Sequence, residues 1–263
     1  MKKLVIVGCG RLAGIVSDAV VNGLLPEYDL VGVYSRTTEK AERIVAKMQQ
    51  HGKACMACGT IEDLLALKPD YLVEAASPAA MKEFALPALK NGTSIVTLSI
   101  GALADTAFRQ EVTETAKANG TRVYIVSGAT GGFDVLRTAS LMGNATAKFF
   151  NEKGPNALKG TAVYDEALQT EQRIVFSGNA TEAIAMFPTK VNVAVAASLA
   201  SVGPENMQMS MQSTPGFVGD TQRVEIKNEQ GHAVIDVYSA TPEIAGWSVV
   251  NTLLNITSPI VFS

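Results

Sequence analysis

Residues 4–13 read Leu-Val-Ile-Val-Gly-Cys-Gly-Arg-Leu-Ala, and the fold turns on how this decapeptide bends. Its four leading residues are apolar and β-branched or leucine, a short buried strand by pattern. Leu12, Val16, Ala19, Val20 and Gly23 then recur at helical spacing, and Pro26 closes the segment. Between strand and helix stands Gly8-Cys-Gly10-Arg-Leu-Ala13, which fits G-x-G-x-x-A. Gly8 permits a tight turn, Gly10 lets a pyrophosphate approach the backbone, and Ala13 lets helix pack on strand. Arg11 and Leu12 open the helix, whose N-terminus faces the phosphates. A glycine pair in this context marks the first βα turn of a dinucleotide-binding unit.

Working outward, short strands alternate with helices. Strands are expected at 30–34, around the Cys55–Cys58 region, at 70–74, 94–98 and 122–126. Helices are expected around 41–48, 78–89 and 104–118, with Thr37 or Thr38 capping the first, and Ile61-Glu-Asp-Leu-Leu65 follows the third strand. This alternation means βαβ units on a parallel sheet. After Gly128 the texture changes. A helix near 133–142 precedes strands expected at 161–164, 173–176, 206–212, 223–227 and 233–238, interrupted by helices near 180–187 and 192–202. Pro242 precedes a last helix over 244–255. The fold class is therefore α/β, a doubly wound Rossmann sheet with an inserted α+β domain whose sheet is mostly antiparallel. Residues 1–127 with 243–263 form the dinucleotide-binding domain, and residues 128–242 the substrate and dimerisation domain.

Composition excludes several classes. The 263 residues are 47% hydrophobic and 18% charged, which suits a well-buried globular chain. A net charge of −3 without a basic block argues against a nucleic-acid partner. The opening Met-Lys-Lys-Leu-Val-Ile-Val stops at Gly8, too short for a signal sequence, and no apolar run reaches the ~20 residues of a membrane span. A cytoplasmic location is expected. The three cysteines, Cys9, Cys55 and Cys58, make no disulfide framework. Cys55-Met-Ala-Cys58 has His51 nearby but no second pair, so it reads as a strand and not as a metal site.

The second strand ends Val33-Tyr34-Ser35-Arg36-Thr37. A coenzyme with a free ribose 2′-hydroxyl calls for an Asp or Glu here. A hydroxyl and a guanidinium instead suit a 2′-phosphate. NADP is expected in preference, with NAD as the second coenzyme.

Three further stretches, residues 73–78 (Val-Glu-Ala-Ala-Ser-Pro), 99–105 (Ser-Ile-Gly-Ala-Leu-Ala-Asp) and 127–136 (Ser-Gly-Ala-Thr-Gly-Gly-Phe-Asp-Val-Leu), resemble the L-aspartate dehydrogenase family. So do residues 176–183 and 187–193, and the resemblance spans nearly the whole chain in order. It implies NAD(P)-dependent oxidation of an amino acid to its imine in the service of NAD biosynthesis, by a homodimer paired through the second domain. It places Ala76, Ser77 and Ser99 in the coenzyme set, and Ala129 and Asn192 at the nicotinamide end. A backbone group beside Ala129 and the Asn192 amide would fix the carboxamide and the ring face that exchanges hydride.

The family's catalytic histidine aligns with Gln222, in Gly219-Asp-Thr-Gln222-Arg. Imidazole titrates near neutrality and can carry the proton that leaves as amine becomes imine; an amide can only orient groups. Asp220, two residues away on the same strand face, is the replacement base by position. His232 reads as an exposed hairpin-turn residue, His51 as a helix-end residue, and Lys153 as a solvated loop lysine. Gln222 and Asp220 are thus the catalytic candidates, acting on a small amino acid or oxo-acid. Two other readings stand beside this one: a catalytically silent NADP-binding sensor, and an imine or semialdehyde reductase of the same layout.

Overall fold

The computed structural model describes residues 1–188 and 190–262; Thr189 of the 187–193 stretch and the terminal Ser263 lie outside the described residues. Contacts divide the chain into Met1–Val126 with Ala245–Ser263, and Ser127–Ile244.

In the first unit the order is β1 (Lys2–Val7), α1 (Arg11–Val21), β2 (Tyr28–Tyr34), α2 (Thr38–Gln50), β3 (Met56–Cys58), α3 (Ile61–Ala66), β4 (Tyr71–Glu74), α4 (Pro78–Lys90), β5 (Ser94–Thr97), α5 (Thr106–Ala118) and β6 (Val123–Ile125). The six strands pair in parallel in the order β3-β2-β1-β4-β5-β6. Direction of progression therefore reverses between β1 and β4, and a Rossmann sheet binds its ligand at that switch point. β1 sits at the centre and Leu4 to Val7 are buried, which is why it reads as an unbroken apolar run. Ser77 caps α4, its Oγ accepting from the Ala80 N–H, and Pro78 follows at the first helical position.

The second unit contains α6 (Phe133–Leu141), β7 (Thr146–Lys153), β8 (Arg173–Asn179), α7 (Ala180–Met186), α8 (Asn192–Leu199), β9 (Gln208–Ser213), β10 (Asp220–Lys227) and β11 (His232–Ser239). Its sheet runs β11-β10-β7-β9-β8, antiparallel except for the β7–β9 pair. Helices α6, α7 and α8 pack against these strands over a core that includes Phe149, Phe187, Met209, Met211 and Val224. An Asn179–Glu182 capping box starts α7.

One expectation fails here. Residues 161–164 are not a strand: they lie in turns between Gly160, at φ +78°, and the 3₁₀ turn Glu166–Gln169, with Thr161 Oγ1 donating to the Leu158 carbonyl. The alternating strand is instead β7, whose inward positions are Ala147, Phe149, Asn151 and Lys153. The chain closes with α9 (Glu243–Thr257), whose Val249, Val250 and Leu253 join the core of the first unit. The Tyr28 hydroxyl donates to the Leu253 carbonyl at 2.8 Å within that core.

Candidate active site

At the switch point Gly8 has φ +90°. Its N–H donates to the Tyr34 carbonyl at 2.9 Å, while the Ala75 N–H donates to the Val7 carbonyl at 2.9 Å, so the turn is tied to the ends of β2 and β4. A Cβ on Gly8 would lie 2.6 Å from the Ala75 carbonyl carbon. One on Gly10 would meet nothing within 4 Å, and no side chain caps α1. A helix start left open beside an uncluttered backbone fits a pyrophosphate. Arg11 and Leu12 begin that helix, and Ala13 is buried against the sheet.

Beyond β2, Ser35 Oγ accepts from the Thr37 N–H at 3.3 Å, and the Thr37 hydroxyl is not used to cap α2. Arg36 is exposed. A cleft of about 440 Å³ is lined by Gly10, Arg11, Lys40, Arg43 and Lys47, the last paired with Asp18 at 2.6 Å. Sequence reasoning passed over the three α2 cations because charges at helical spacing read as a solvated face. Ala76, Ser77 and Ser99 come together through a residue that sequence reasoning also missed. Glu74, fully buried, accepts hydrogen bonds from the N–H groups of all three.

Cys55 is buried ahead of β3, and burial pushes its thiol up to about 12; Cys9 is raised to about 11. Thiols so hard to ionise make poor ligands and nucleophiles. Among the described residues no cluster of three His, Cys, Asp or Glu side chains is placed to hold a metal.

In the second unit the loop carrying Ala129 turns at Gly128 and Gly132, both at positive φ. A Cβ on Gly128 would stand 3.5 Å from Val193, so this loop abuts the start of α8, where Asn192 is the first residue. Gln222 is 4% exposed on the helix-covered face of β10. Strand register sets it across from Asn151, and sets Asp220 across from Lys153. The outer row continues to Ser239 on β11 and Ser213 on β9. Lys153 is 7% exposed and its Nζ lies 2.6 Å from Asp220 Oδ2. This corrects its reading as a solvated loop lysine: strand alternation, not the following Gly154-Pro155, sets its direction. Asn151 Nδ2 donates to Asp220 Oδ1 at 2.7 Å, so both carboxylate oxygens are engaged. The hydroxyls of Ser213, Ser239 and Thr130 are buried, and among the described residues they have no hydrogen-bond partner. One end of an otherwise apolar face is thus polar. A cleft of about 490 Å³ on this sheet is lined instead by Lys148, Phe150, Ser210, Arg223 and Glu225.

The histidines lie outside this cluster. His232 opens β11, exposed, with Nε2 3.0 Å from Glu225 Oε1, and His51 follows α2. Replacing Lys153 by methionine should strand a largely enclosed carboxylate. Breaking a buried pair costs about 3–5 kcal/mol, and the partial exposure of Asp220 lowers the expectation to about 2–3 kcal/mol. Urea unfolding of Lys153→Met reads this directly.

A sequence profile described as "Aspartate dehydrogenase, C-terminal" matches residues 134–256, and "Homoserine dehydrogenase, NAD binding domain" matches residues 8–126. The L-aspartate dehydrogenase of Methanosarcina mazei is 30% identical over 272 residues, covering 99% of this chain and 98% of that protein. The chain belongs to the L-aspartate dehydrogenase family. A second member of the L-aspartate dehydrogenase family, from Methanococcus maripaludis, is 27% identical over 271 residues, covering 99% of this chain and 98% of that protein. The solved aspartate dehydrogenase of Thermotoga maritima matches with a TM-score of 0.79 and 25% identity over 100% of both chains. Homoserine dehydrogenase from Thermoplasma acidophilum, at 14% identity, TM-score 0.58 and 97% and 99% coverage, shares the fold. As a member of the L-aspartate dehydrogenase family, with a dehydrogenase NAD-binding domain, the chain is a nicotinamide-dependent oxidoreductase. No described helix is long and apolar enough to cross a membrane.

Proposed function

We propose that this protein exchanges hydride between NADP and the α-carbon of a small amino acid, L-aspartate first among them, with Gln222 and Asp220 at the reacting end. The observation that carries the reading is the polar end of the second sheet, Asn151, Lys153, Asp220 and Gln222 on one face, in a chain whose coenzyme turn is intact. A bound coenzyme would supply the hydride acceptor. Gly8, Gly10, Arg11, Leu12 and Ala13 would hold its pyrophosphate, and Ala129 and Asn192 would orient its carboxamide. The amine nitrogen loses a proton as the C=N bond forms. The Lys153–Asp220 couple is the proton-exchanging pair beside Gln222, whose amide orients the substrate. Lys153 and the two unpartnered serine hydroxyls suit a carboxylate. The test is coenzyme reduction with a panel of amino acids, and oxidation with oxo-acids; no turnover with any of them overturns the reading.

NADP preference rests on Ser35, Arg36 and Thr37, reinforced by Arg11, Lys40 and Arg43 of the cleft at Gly10. A guanidinium bond to a 2′-phosphate is worth about 1.5–3 kcal/mol, or about 10–100-fold in affinity. Arg36→Ala should lose that much for NADPH and almost nothing for NADH in fluorescence titrations.

Pairing of two copies through the second unit is the assembly proposed, and Ile174, Val234 and Tyr238 of its sheet are exposed. Sedimentation of the full chain is expected to return the dimer mass.

A second reading, a coenzyme-binding sensor without turnover, draws on the missing imidazole and on the engagement of both Asp220 oxygens. Tight NADP binding with no hydride transfer would select it.

A further inference from the structure

Glu74 closes β4 with its side chain 0% exposed, at the end of a strand whose preceding residues are apolar. Its Oε1 accepts from the Ala76 N–H at 2.8 Å, the Ser77 N–H at 3.1 Å and the Ser99 hydroxyl at 2.9 Å. Its Oε2 accepts from the Thr97 hydroxyl at 2.7 Å and the Ser99 N–H at 3.0 Å. Every one of these partners is neutral, and its neighbours in the sheet are Val7 of β1 and Thr97 of β5. Among the described residues dipoles, not a counter-ion, therefore balance the carboxylate. Three of the donors are backbone N–H groups, which cannot reverse; an amide at this position would set an NH₂ against one of them.

The partners lie in the turn 75–77 after β4, at the end of β5 and in the turn 98–99 that follows it, and the first of these is the backbone on which Gly8 rests. We infer that Glu74 is a positioning residue for the coenzyme: its carboxylate gathers both turns and draws the Ala76 and Ser77 N–H groups inward, leaving the opposite side of the turns to face the nicotinamide half. This rests on the reading of the first unit as the coenzyme site. Burial raises the carboxyl above its ordinary range, while the hydrogen bonds oppose that shift. A proton on Glu74 turns an acceptor into a donor against this ring of donors, so coenzyme affinity should fall as pH falls through the raised value.

Calorimetric titration of the full chain with NAD⁺, which has no 2′-phosphate to titrate, tests this from about pH 8 to about pH 5. The parent should lose about tenfold in affinity for each pH unit below the shifted value, until the protonated form dominates in both free and bound protein. Glu74→Gln should bind about tenfold or more weakly at pH 8, with a flat profile. Thr97→Val removes one donor and keeps the charge, so its profile should move to higher pH. That displacement also carries the test if Glu74→Gln does not fold. Should the parent bind only NADP⁺, the difference between parent and variant curves is read, in which the 2′-phosphate titration cancels. A parent profile without pH dependence, parent-like binding by Glu74→Gln, or an unmoved Thr97→Val profile overturns the inference. Failure of the parent to bind either coenzyme at pH 8 overturns the coenzyme reading, and this inference with it.

Discussion

The Gln222→His variant is expected to oxidise L-aspartate up to about 10²–10⁴-fold faster than the parent, the full worth of a positioned general base, because both oxygens of the parent's Asp220 are already taken by Asn151 and Lys153. That corresponds to about 3–5 kcal/mol off the barrier. Gln222 is already buried on the same face as Asn151 and Asp220, so the new imidazole starts in a hydrogen-bonding environment. Asp220 lies two residues away along the strand, on the same face. The amine's proton is taken by neutral imidazole, so the gain should be present above the imidazole's pKa and vanish below it. Initial rates of coenzyme reduction against pH supply the measurement. A variant that binds coenzyme like the parent yet turns over nothing would mean that position 222 is not the only loss, and would favour the sensor.

Gly8→Ala should abolish coenzyme binding and destabilise the first unit. The backbone at Gly8 sits at φ +90°, where a side chain is strained, and the added Cβ would lie 2.6 Å from the Ala75 carbonyl carbon and oxygen and 2.7 Å from the Ala76 Cα. All of these atoms are backbone, so nothing can swing aside. Strain of about 1–2 kcal/mol and overpacking of about 1–3 kcal/mol together give roughly 2–5 kcal/mol. Gly10→Ala is the contrasting case. Its Cβ meets no protein atom within 4 Å, so the fold should survive while pyrophosphate affinity drops. Paired thermal melts and calorimetry separate the two outcomes; an unaltered melt and normal binding for Gly8→Ala would remove the turn from the coenzyme site.

The first unit was largely legible because its information is local. A buried parallel strand is a continuous apolar run, and the residues that end each run are glycines, prolines or caps that announce themselves within a few positions. β7 was missed for the opposite reason. Its inward positions end in Asn151 and Lys153, so the alternation that marks a half-buried strand breaks down where the candidate site begins. Residues 161–164 looked like a strand because Ala162, Val163 and Tyr164 are apolar, yet flanking turns leave them no partner to pair with. In the sequence Glu74 reads as the last residue of a strand within the 73–78 stretch, with no role of its own. Its role depends on Thr97 and Ser99, 23 and 25 residues away, which become neighbours only once β4 and β5 pair.

The return of α9 has a consequence for how the protein is made. Val249, Val250 and Leu253 fill a core begun by Leu4 and Ile6, and the Tyr28 hydroxyl waits for a carbonyl at Leu253. A nascent chain emerging from the ribosome therefore carries its first unit unfinished through the synthesis of the whole second one, with an apolar groove open to water. Any ribosome stall or nick before residue 245 should leave a sticky, protease-sensitive fragment. A peptide spanning residues 243–257, added in trans, is the natural candidate to complement it.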